Sequence, residues 1–305
     1  MVQRKVGKIL GLTLALGAFM LTATGCKGHS NNSGPNTATN GTLRVLLTDD
    51  PLPYRSISNV WITVSRVEAH HEGTGTGWIT LSSTPVTIDA LSYRNGVSAV
   101  LGSASVAPQV YNKVRISVSN VAVTLIDGRT FYPTLPTSLV SPGDDIQIVT
   151  NVNMVAGMRS DVLVDLDLSR ALEFLGDTSS TATITGVIFH DNTFRAVDYG
   201  ASGSIDGTVA NDNSTLNITS DDFALGDVQV NVYQAGFLVA SGITDSFGYY
   251  KIIGLMPGSY DLVFQRAYNV ADGGYFDEQV LNNFVVQGYV LSQDVILEET
   301  PAIWP

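Results

Sequence analysis

The stretch Val60-Trp61-Ile62-Thr63-Val64-Ser65 decides the fold class of this 305-residue chain. Its aliphatic residues alternate with Trp, Thr and Ser, so the pattern has a period of two. In a strand this period places the aliphatic side chains on one face, against a core, and the others toward solvent or a second layer. The stretch therefore predicts a half-buried β-strand.

Similar runs recur on both sides of this stretch, separated by turn signals such as Asn95-Gly96 and Asp127-Gly128. Regular spacing of short strands is typical of an antiparallel sandwich. A helix of one or two turns is predicted at 169–175, where Gly176 would end it. The predicted strands of this part of the chain are 43–47, 60–67, 78–81, 86–88, 114–125, 146–152, 162–168 and 184–189.

The second part of the chain carries two turn motifs, Thr244-Asp245-Ser246-Phe247-Gly248-Tyr249-Tyr250 and Leu255-Met256-Pro257-Gly258-Ser259-Tyr260. The first motif predicts a hairpin turn at Asp245. In the second, Pro257-Gly258 predicts a type II turn whose glycine supplies the positive φ. The order and spacing of these motifs are similar to the carboxypeptidase regulatory-like domain, over roughly residues 202–299. That resemblance implies a transthyretin-like (prealbumin-like) sandwich of about seven strands, and such modules are usually passive.

The first part of the chain contains further short motifs, spread over roughly residues 41–195. They include Gly41-Thr42-Leu43-Arg44-Val45-Leu46-Leu47-Thr48-Asp49, Ile88-Asp89-Ala90-Leu91, Val114-Arg115-Ile116, Tyr132-Pro133 and Leu163-Val164-Asp165-Leu166-Asp167. Their order resembles a lipoprotein-associated family known as domain of unknown function 4382, which implies a first domain at 41–198 and no particular activity. With the second domain at 202–299 and a tail at 300–305, the chain is predicted to be all-β, with two antiparallel β-sandwich domains.

The N-terminus has the three parts of a secretory signal. Arg4, Lys5 and Lys8 supply the charged part, and residues 9–21 form an apolar run too short to span a bilayer comfortably. Ala23-Thr24-Gly25 provides the small residues of a cleavage site. Residues 1–25 are therefore predicted to be removed. Residues 26–40, rich in Gly, Ser, Asn and Thr, are predicted to form a flexible tether.

Cys26, the single cysteine of the chain, follows this signal directly. Small residues ending in Gly-Cys resemble the lipobox of bacterial lipoproteins. The resemblance implies that Cys26 becomes the mature N-terminus and carries lipid, palmitate included, which anchors the protein in the cell envelope. It also implies the outer membrane, because Lys27 stands where an Asp favours retention in the inner membrane. The face of that membrane, periplasmic or surface, stays open.

The charge balance excludes one class of partner. The chain has a formal charge of −12, and loss of the three cations of the signal would make it −15. An acidic chain repels the phosphates of nucleic acids and of anionic headgroups. We therefore expect no nucleic acid partner, and membrane contact through the lipid on Cys26 alone. With this cysteine lipidated no disulfide can form, so both domains depend on burial of apolar side chains.

The sequence has no Gly-x-Ser-x-Gly elbow, His-Glu-x-x-His helix, phosphate loop or dinucleotide fingerprint. Two weak metal candidates stay open. His70 and His71 precede a Gly-rich loop, but they share an ion only if the strand has ended there. Asp165 and Asp167 share a strand face, so they either hold a hard cation or form a polar face paired with Arg115.

Loops of the second part hold Asp212, Asp221, Asp222, Asp272 and Asp277. Aspartate in a loop is first of all a turn former, and a calcium site there is the alternative. The interpretation that we favour is that the protein has no resident cofactor and no metal.

Aromatic side chains crowd the second domain. Tyr249, Tyr250, Tyr275 and Phe276 are the candidates for ligand binding, because an exposed aromatic row stacks on sugar rings. Sandwich cores also bury aromatics, and a tyrosine after a turn often hydrogen-bonds back to the backbone. The sequence favours the core or corner role and leaves ligand binding as the alternative.

These observations favour a noncatalytic, membrane-anchored cell-envelope lipoprotein that acts as a structural or binding module. Its expected partners are the membrane, through the lipid, and an envelope protein or a polysaccharide. A polysaccharide-binding accessory protein is the first alternative. An enzyme that acts through Asp165 and Asp167 is the weaker one.

Overall fold

The structure, a computed structural model, describes residues 40–50, 56–72, 77–140, 146–178, 180–191, 193–212, 222–266 and 275–300. Strands dominate these residues. The strands are β1 (Gly41–Asp50), β2 (Ile57–His71), β3 (Trp78–Ser82), β4 (Val86–Asp89), β5 (Ala99–Val106), β6 (Val110–Leu125), β7 (Thr130–Phe131), β8 (Ile146–Asn153), β9 (Arg159–Asp167), β10 (Leu172–Leu175), β11 (Gly186–Phe189), β12 (Phe194–Asp198), β13 (Gly203–Asn211), β14 (Phe223–Ala224), β15 (Gln229–Gln234), β16 (Phe237–Ile243), β17 (Tyr249–Leu255), β18 (Gly258–Gln265), β19 (Tyr275–Phe276), β20 (Gln279–Val286), β21 (Val290–Ser292), β22 (Val295–Leu297) and β23 (Glu299–Thr300). The helices are α1 (Thr137–Val140), α2 (Leu168–Ala171) and 3-10 turns at Ala90–Ser92, Thr181–Thr183 and Tyr199–Ala201.

In the first half of the chain, residues 40–198, two sheets enclose one core. One sheet has the strand order β12-β9-β1-β5, and the other has the order β3-β2-β6-β7 with β4 added to β2 and β8 added to β6. β1 and β9 run parallel, whereas β1 runs antiparallel to β5 and β9 antiparallel to β12. β10 and β11 form a separate two-stranded sheet.

The alternation that opens the sequence analysis is reproduced in β2. Val60, Ile62 and Val64 are at most 2% exposed, whereas Trp61 is 41% exposed. The three aliphatic side chains pack in the same core as alternate residues of β1 and β6. Full burial of one such side chain stabilises the fold by about 1.5–3 kcal/mol, so the period of two selects this face of the sheet.

In the second half of the chain, residues 202–300, β13 is the central strand of one sheet. It pairs antiparallel with β14 and β17 and parallel with β21 and β22. The facing sheet has the order β16-β15-β18-β20, and a second core lies between the two sheets. β19 and β23 form a short pair of their own. The predicted all-β class with sandwich architecture is confirmed, and the parallel pairs are an addition to it.

Two local predictions about turns have different outcomes. The hairpin turn at Asp245 is confirmed, because its Oδ1 accepts hydrogen bonds from the backbone N–H of Phe247 (2.8 Å) and of Tyr249 (3.0 Å). Gly248 completes this turn at φ +73°, where a Cβ would lie 2.3 Å from the carbonyl oxygen of Val209. The type II turn with positive φ at Gly258 is wrong, since Gly258 does not have a positive φ.

The helix predicted at 169–175 is wrong in its second half. α2 ends at Ala171, and residues Leu172–Leu175 form β10. β10 pairs antiparallel with β11. The partner strand supplies hydrogen bonds that a local helical pattern cannot anticipate, so tertiary pairing overrides the local signal.

Candidate functional site at the junction of the two halves

β17 buries side chains on both of its faces. Tyr250 and Ile252 point into the second core. Ile253 points the other way and packs with apolar side chains of the first half, namely Leu46, Leu163 and Val197, in a small separate cluster. The two halves therefore share an apolar contact at this strand.

Arg195 on β12 bridges the two halves at this contact. Its Nη2 donates to Oδ2 of Asp165 at 2.5 Å, and its Nη1 donates to the carbonyl oxygen of Gly254 at 2.6 Å. Gly254 has a φ of +75°, and a Cβ there would lie 2.8 Å from a methyl carbon of Leu163. We call Arg195 and Asp165 the junction ion pair. One guanidinium therefore holds a carboxylate of the first half and a backbone carbonyl of the second.

The carboxylate of Asp165 lies in a low-dielectric environment. Its residue is 5% exposed, and burial raises its pKa. The charge of Arg195 opposes that rise in pKa, and the charge of nearby Asp167 adds to it. A buried carboxylate with one cation as partner is therefore easier to protonate than an aspartate in water.

Two cavities lie against Asp165. One, of about 10 Å³, is also lined by Asp49, Ser241 and Lys251, and this volume holds about one water molecule. The other, of about 160 Å³, is lined by Asp165, Asp167, Arg170 and Arg195 among others. Two arginines thus line the larger cavity together with the two carboxylates.

Asp167 has a structural task at the end of the same strand. Its Oδ1 accepts hydrogen bonds from the backbone N–H of Arg170 at 3.2 Å and from the hydroxyl of Ser169 at 2.5 Å. It is therefore the N-cap of α2, in the position where aspartate is favoured. Asp165 and Asp167 line one cavity. Pairing with Arg115 is expected only if the two strands are adjacent; β9 and β6 lie in different sheets, and Arg195 is the partner of Asp165 instead.

Arg115 belongs to another cluster, on the six-stranded sheet of the first half. Its Nε donates to Oε2 of Glu68 at 2.5 Å, and Nη2 of Arg66 donates to Oε1 of Glu68 at 2.8 Å. The guanidinium of Arg115 also lies 4.2 Å from the ring centroid of Trp78. We call Glu68, Arg66 and Arg115 the sheet ion cluster. Burial acts to raise the pKa of Glu68, but the two arginines outweigh it and the pKa is lowered.

The two weak histidine candidates are not brought to a common site. Both lie within β2, so the condition for sharing an ion, a strand that has already ended, is not met. The Nδ1 of His70 lies 2.8 Å from Oδ1 of Asn112, and its ring lies against Trp78. The ring of His71 meets Tyr111 edge-on. Within the described part of the chain, no group of three or more His, Cys, Asp or Glu side chains is arranged to hold a metal ion.

The aromatic candidates are mainly part of the second core. Tyr250 is fully buried, its hydroxyl donates to the carbonyl oxygen of Gln293 at 2.8 Å, and burial raises the pKa of its phenol. It cannot stack on a surface ligand, so this assignment is wrong. Tyr249 is half-buried. Phe276 packs against the second core beneath the guanidinium of Arg266. The backbone of Tyr275 pairs with Thr300, and its side chain lies outside the described residues.

The expected tyrosine corner occurs at two turns. The hydroxyl of Tyr260 donates to the carbonyl oxygen of Met256 at 2.5 Å. The hydroxyl of Tyr111 donates to the carbonyl oxygen of Ala107 at 3.1 Å. In each case the acceptor lies four residues earlier, so these tyrosines fix the backbone before a strand.

Other predicted positions fall outside the described residues, namely Cys26, Asp221 and Asp272. Asp212, Asp222 and Asp277 are described, and none of them joins a metal-binding group there. No helix in the described ranges has both the length and the apolar character that a membrane span requires.

The residues that sequence reasoning missed are Arg195, Glu68 and Arg66. Arg195 stands directly opposite Asp165 in the pairing of β12 with β9, and Glu68 stands opposite Arg115 in the pairing of β2 with β6. Opposite charges on strands are a usable signal, but only when the pairing of the strands is known.

Comparison with known proteins gives weak structural similarity and one family match. The Bacillus anthracis TIE protein has 12% identity and a TM-score of 0.27 over 86% of this chain, which spans 34% of that protein. The minor pilin GBS52 of Streptococcus agalactiae has 8% identity, a TM-score of 0.24, and coverage of 86% of this chain and 98% of its own. A double mutant of the shaft pilin SpaA from Lactobacillus rhamnosus GG has 9% identity and a TM-score of 0.26. The similarity covers 88% of this chain and 99% of the pilin.

No curated protein sequence matches the chain. The family comparison, in contrast, agrees with the resemblance stated from the sequence. Residues 40–181 match the family DUF4382, which is described as a domain of unknown function.

Proposed function

We propose that this chain is a noncatalytic lipoprotein of the bacterial cell envelope, anchored in the outer membrane through lipid on Cys26. Its two β-sandwich halves form a passive structural or binding module at the end of the tether. The anchor rests on the signal pattern and on the position of the single cysteine. The passive character rests on the hydrogen bonds and ion pairs of the buried carboxylates among the described residues.

The observation that carries this proposal is the pair of hydrogen bonds that Arg195 donates, one to Asp165 and one to the carbonyl oxygen of Gly254. A carboxylate that acts as a general acid or base has to lie within hydrogen-bond reach of the substrate group whose proton it transfers. Asp165 instead accepts from an arginine that also fixes the second half. Asp167 caps a helix, and Glu68 is held by two arginines. Asp165 and Asp167, the residues of the enzyme alternative, thus support the fold as Glu68 does, which favours a structural role over that alternative.

A lipid on Cys26 also accounts for membrane attachment of an acidic chain. Each buried methylene of an acyl chain contributes about 0.8 kcal/mol, and stable anchoring takes more than one chain. Attachment through lipid needs no basic surface on the protein. A chain with a formal charge of −12 does not favour such a surface.

The test is replacement of Cys26 by Ser in the full chain, expressed in a bacterium with two membranes. We expect the wild-type protein in the washed membrane pellet and Cys26→Ser in the soluble fraction, since Ser has no thiol to receive lipid. Mass spectrometry of the mature N-terminal peptide is the second readout, because a precursor that keeps its signal would pellet for another reason.

The matched control is His29→Ala, which changes the tether and leaves the cysteine in place. It is expected to stay with the membrane. An unmodified Cys26 at the mature N-terminus, or a processed Cys26→Ser chain that still pellets after a carbonate wash, would contradict the proposed anchor.

A further inference from the structure

A groove beside the junction has the chemistry of a sugar-binding site. It has a volume of about 220 Å³, and its walls include Tyr199 from the 3-10 turn that precedes β13 and Tyr289 from the turn between β20 and β21. Tyr199 is 36% exposed and Tyr289 is 53% exposed. Two partly exposed tyrosines, one from the link between the two halves and one from the second half, therefore border one groove.

Ser202, Gly203 and Ser204, which we call the floor, line this groove around the start of β13. The apolar side chains of Ile253 and Val290 line it as well. A Cβ on Gly203 would lie 2.9 Å from the carbonyl oxygen of Tyr289, so glycine permits the close approach of the turn to β13. The backbone N–H of Ser204 donates to that same carbonyl oxygen at 3.3 Å. Tyr289 is thus held in place by the backbone that forms the floor.

Lys251 is the basic residue among those that line this groove. Asp206 is its cross-strand neighbour in the pairing of β13 with β17, yet none of the ion pairs among the described residues includes Lys251. Its aliphatic stem runs past Gly96, where a Cβ would lie 2.7 Å from the lysine Cδ. The stem is therefore positioned by the turn of the first half, and Lys251 lies between this groove and the small cavity beside Asp165.

We propose that this groove binds a single ring of an acidic saccharide, a uronate, in a longer chain. The apolar C–H face of a sugar ring packs on tyrosine, its hydroxyl groups hydrogen-bond to serine and backbone groups, and its carboxylate pairs with lysine. Pockets for whole drug-sized ligands measure about 300–1,000 Å³, so the smaller groove suits one ring. This assignment names a ligand for the proposed binding module and rests on that function only for the cellular location.

The test is calorimetric titration of the full chain in detergent with trimers of galacturonate, glucuronate and mannuronate. Cellotriose serves as the neutral comparison, and hexaglutamate tests an acidic peptide. We expect one of the uronates to bind. Tyr289→Ala and Tyr199→Ala should each weaken its binding on the order of tenfold, because each removes one stacking face. Lys251→Met should remove the preference for that uronate over cellotriose and the weakening of binding by salt.

Two controls separate binding from folding. Tyr289→Phe keeps the ring and is expected to bind nearly as the wild type does. Tyr132→Ala removes a tyrosine that is 71% exposed and does not line the groove, so it should bind unchanged. The proposal is overturned if none of the three uronates binds, if both tyrosine-to-alanine variants bind as the wild type does, or if hexaglutamate binds more tightly. None of these results bears on whether Cys26→Ser leaves the membrane.

Discussion

The sheet ion cluster and the junction ion pair each bury a carboxylate beside arginine, but the two carboxylates respond in opposite ways. Glu68 is 3% exposed and Asp165 is 5% exposed, so both lose nearly all contact with water. The shortest arginine contact is 2.5 Å in both cases. Even so, the pKa of Glu68 is lowered and the pKa of Asp165 is raised.

The difference lies both in the depth of burial and in the charges around each carboxylate. Asp165 is the more deeply buried of the two, so desolvation raises its pKa more strongly. Glu68 accepts hydrogen bonds from two arginines, and their combined effect exceeds the cost of burial. Asp165 accepts a hydrogen bond from Arg195, whose guanidinium also donates to the carbonyl oxygen of Gly254, and the charge of Asp167 lies nearby. Two cations against one buried carboxylate lower its pKa, whereas one shared cation does not overcome desolvation.

The two sites also differ in what they hold together. Glu68 and Arg115 face each other within one sheet of the first half, so their pairing reports on that sheet. The junction ion pair reaches the backbone of β17 and lies beside the apolar contact of Ile253. Breaking the junction ion pair therefore tests the connection between the halves, whereas breaking the sheet ion cluster does not.

Arg195→Met is expected to have the largest effect on stability. It removes the cation of a buried carboxylate and the hydrogen bond to Gly254, and loss of one partner of a buried pair costs about 3–5 kcal/mol. Unfolding in urea should show a free energy lower by about 3 kcal/mol. At about 2–4 °C per kcal/mol, the melting temperature should fall by roughly 6–12 °C.

The matched control for this substitution is Arg170→Met in the same cavity. The Arg170 side chain is 55% exposed and its Nε lies 3.9 Å from Asp167, so its loss should cost less than about 1 kcal/mol. Equal losses for the two variants would show that Arg195 is no more than a surface charge, and the contrast between the two sites would lose its basis.

The fold was largely accessible from the sequence because it depends on periodicity. The alternation at Val60 and Ile62 predicts both a strand and its buried face, and the same argument places Asp165 and Asp167 on one face. The partner of Asp165 was not accessible. Arg195 lies on β12, a short strand that carries no strong alternation, and only the order β12-β9-β1-β5 brings it opposite Asp165. Strand order is a long-range property that local pattern does not contain.

Burial was the second property that the sequence left undecided. Tyr249 and Tyr250 are neighbours in one motif, and period two assigns them to opposite faces without saying which face is the core. The structure buries Tyr250 against Phe264. Tyr199 and Tyr289 border one groove because the turns that carry them both lie beside the start of β13. The two turns are far apart in the sequence, so local pattern does not predict that they meet.

A pH series sharpens the comparison through two charge-removing variants. The stability that Glu68 contributes is present above its ordinary pKa of 4.5 and is lost as pH falls through its lowered folded pKa. Asp165 behaves oppositely, since ionisation in the fold is costly. Its stability is greatest below the ordinary pKa of 3.8 and is lost as pH rises through the raised folded pKa.

Glu68→Gln should therefore become more destabilising relative to the wild type as pH rises, and Asp165→Asn should become less so. Each slope is at most about 1.4 kcal/mol per pH unit. The measurement is the free energy of unfolding in urea at a series of pH values from about 3 to about 8. Slopes of the same sign would refute the opposite directions of the two pKa shifts.

The smallest expected effect separates the two tasks of Asp167 and concerns the charge next to the junction ion pair. Asp167→Asn keeps an N-cap for α2 and removes the charge, whereas Asp167→Ala removes both, and loss of the cap costs about 1 kcal/mol. Because the charge of Asp167 raises the pKa of Asp165, both variants should move the pH-dependent loss at Asp165 to lower pH, while only the alanine variant loses the cap energy. Urea unfolding of the two variants across the same pH series distinguishes these terms. If the asparagine variant keeps the wild-type pH profile, the neighbouring charge is not what sets Asp165 apart from Glu68, and desolvation with a single shared arginine must account for the whole difference.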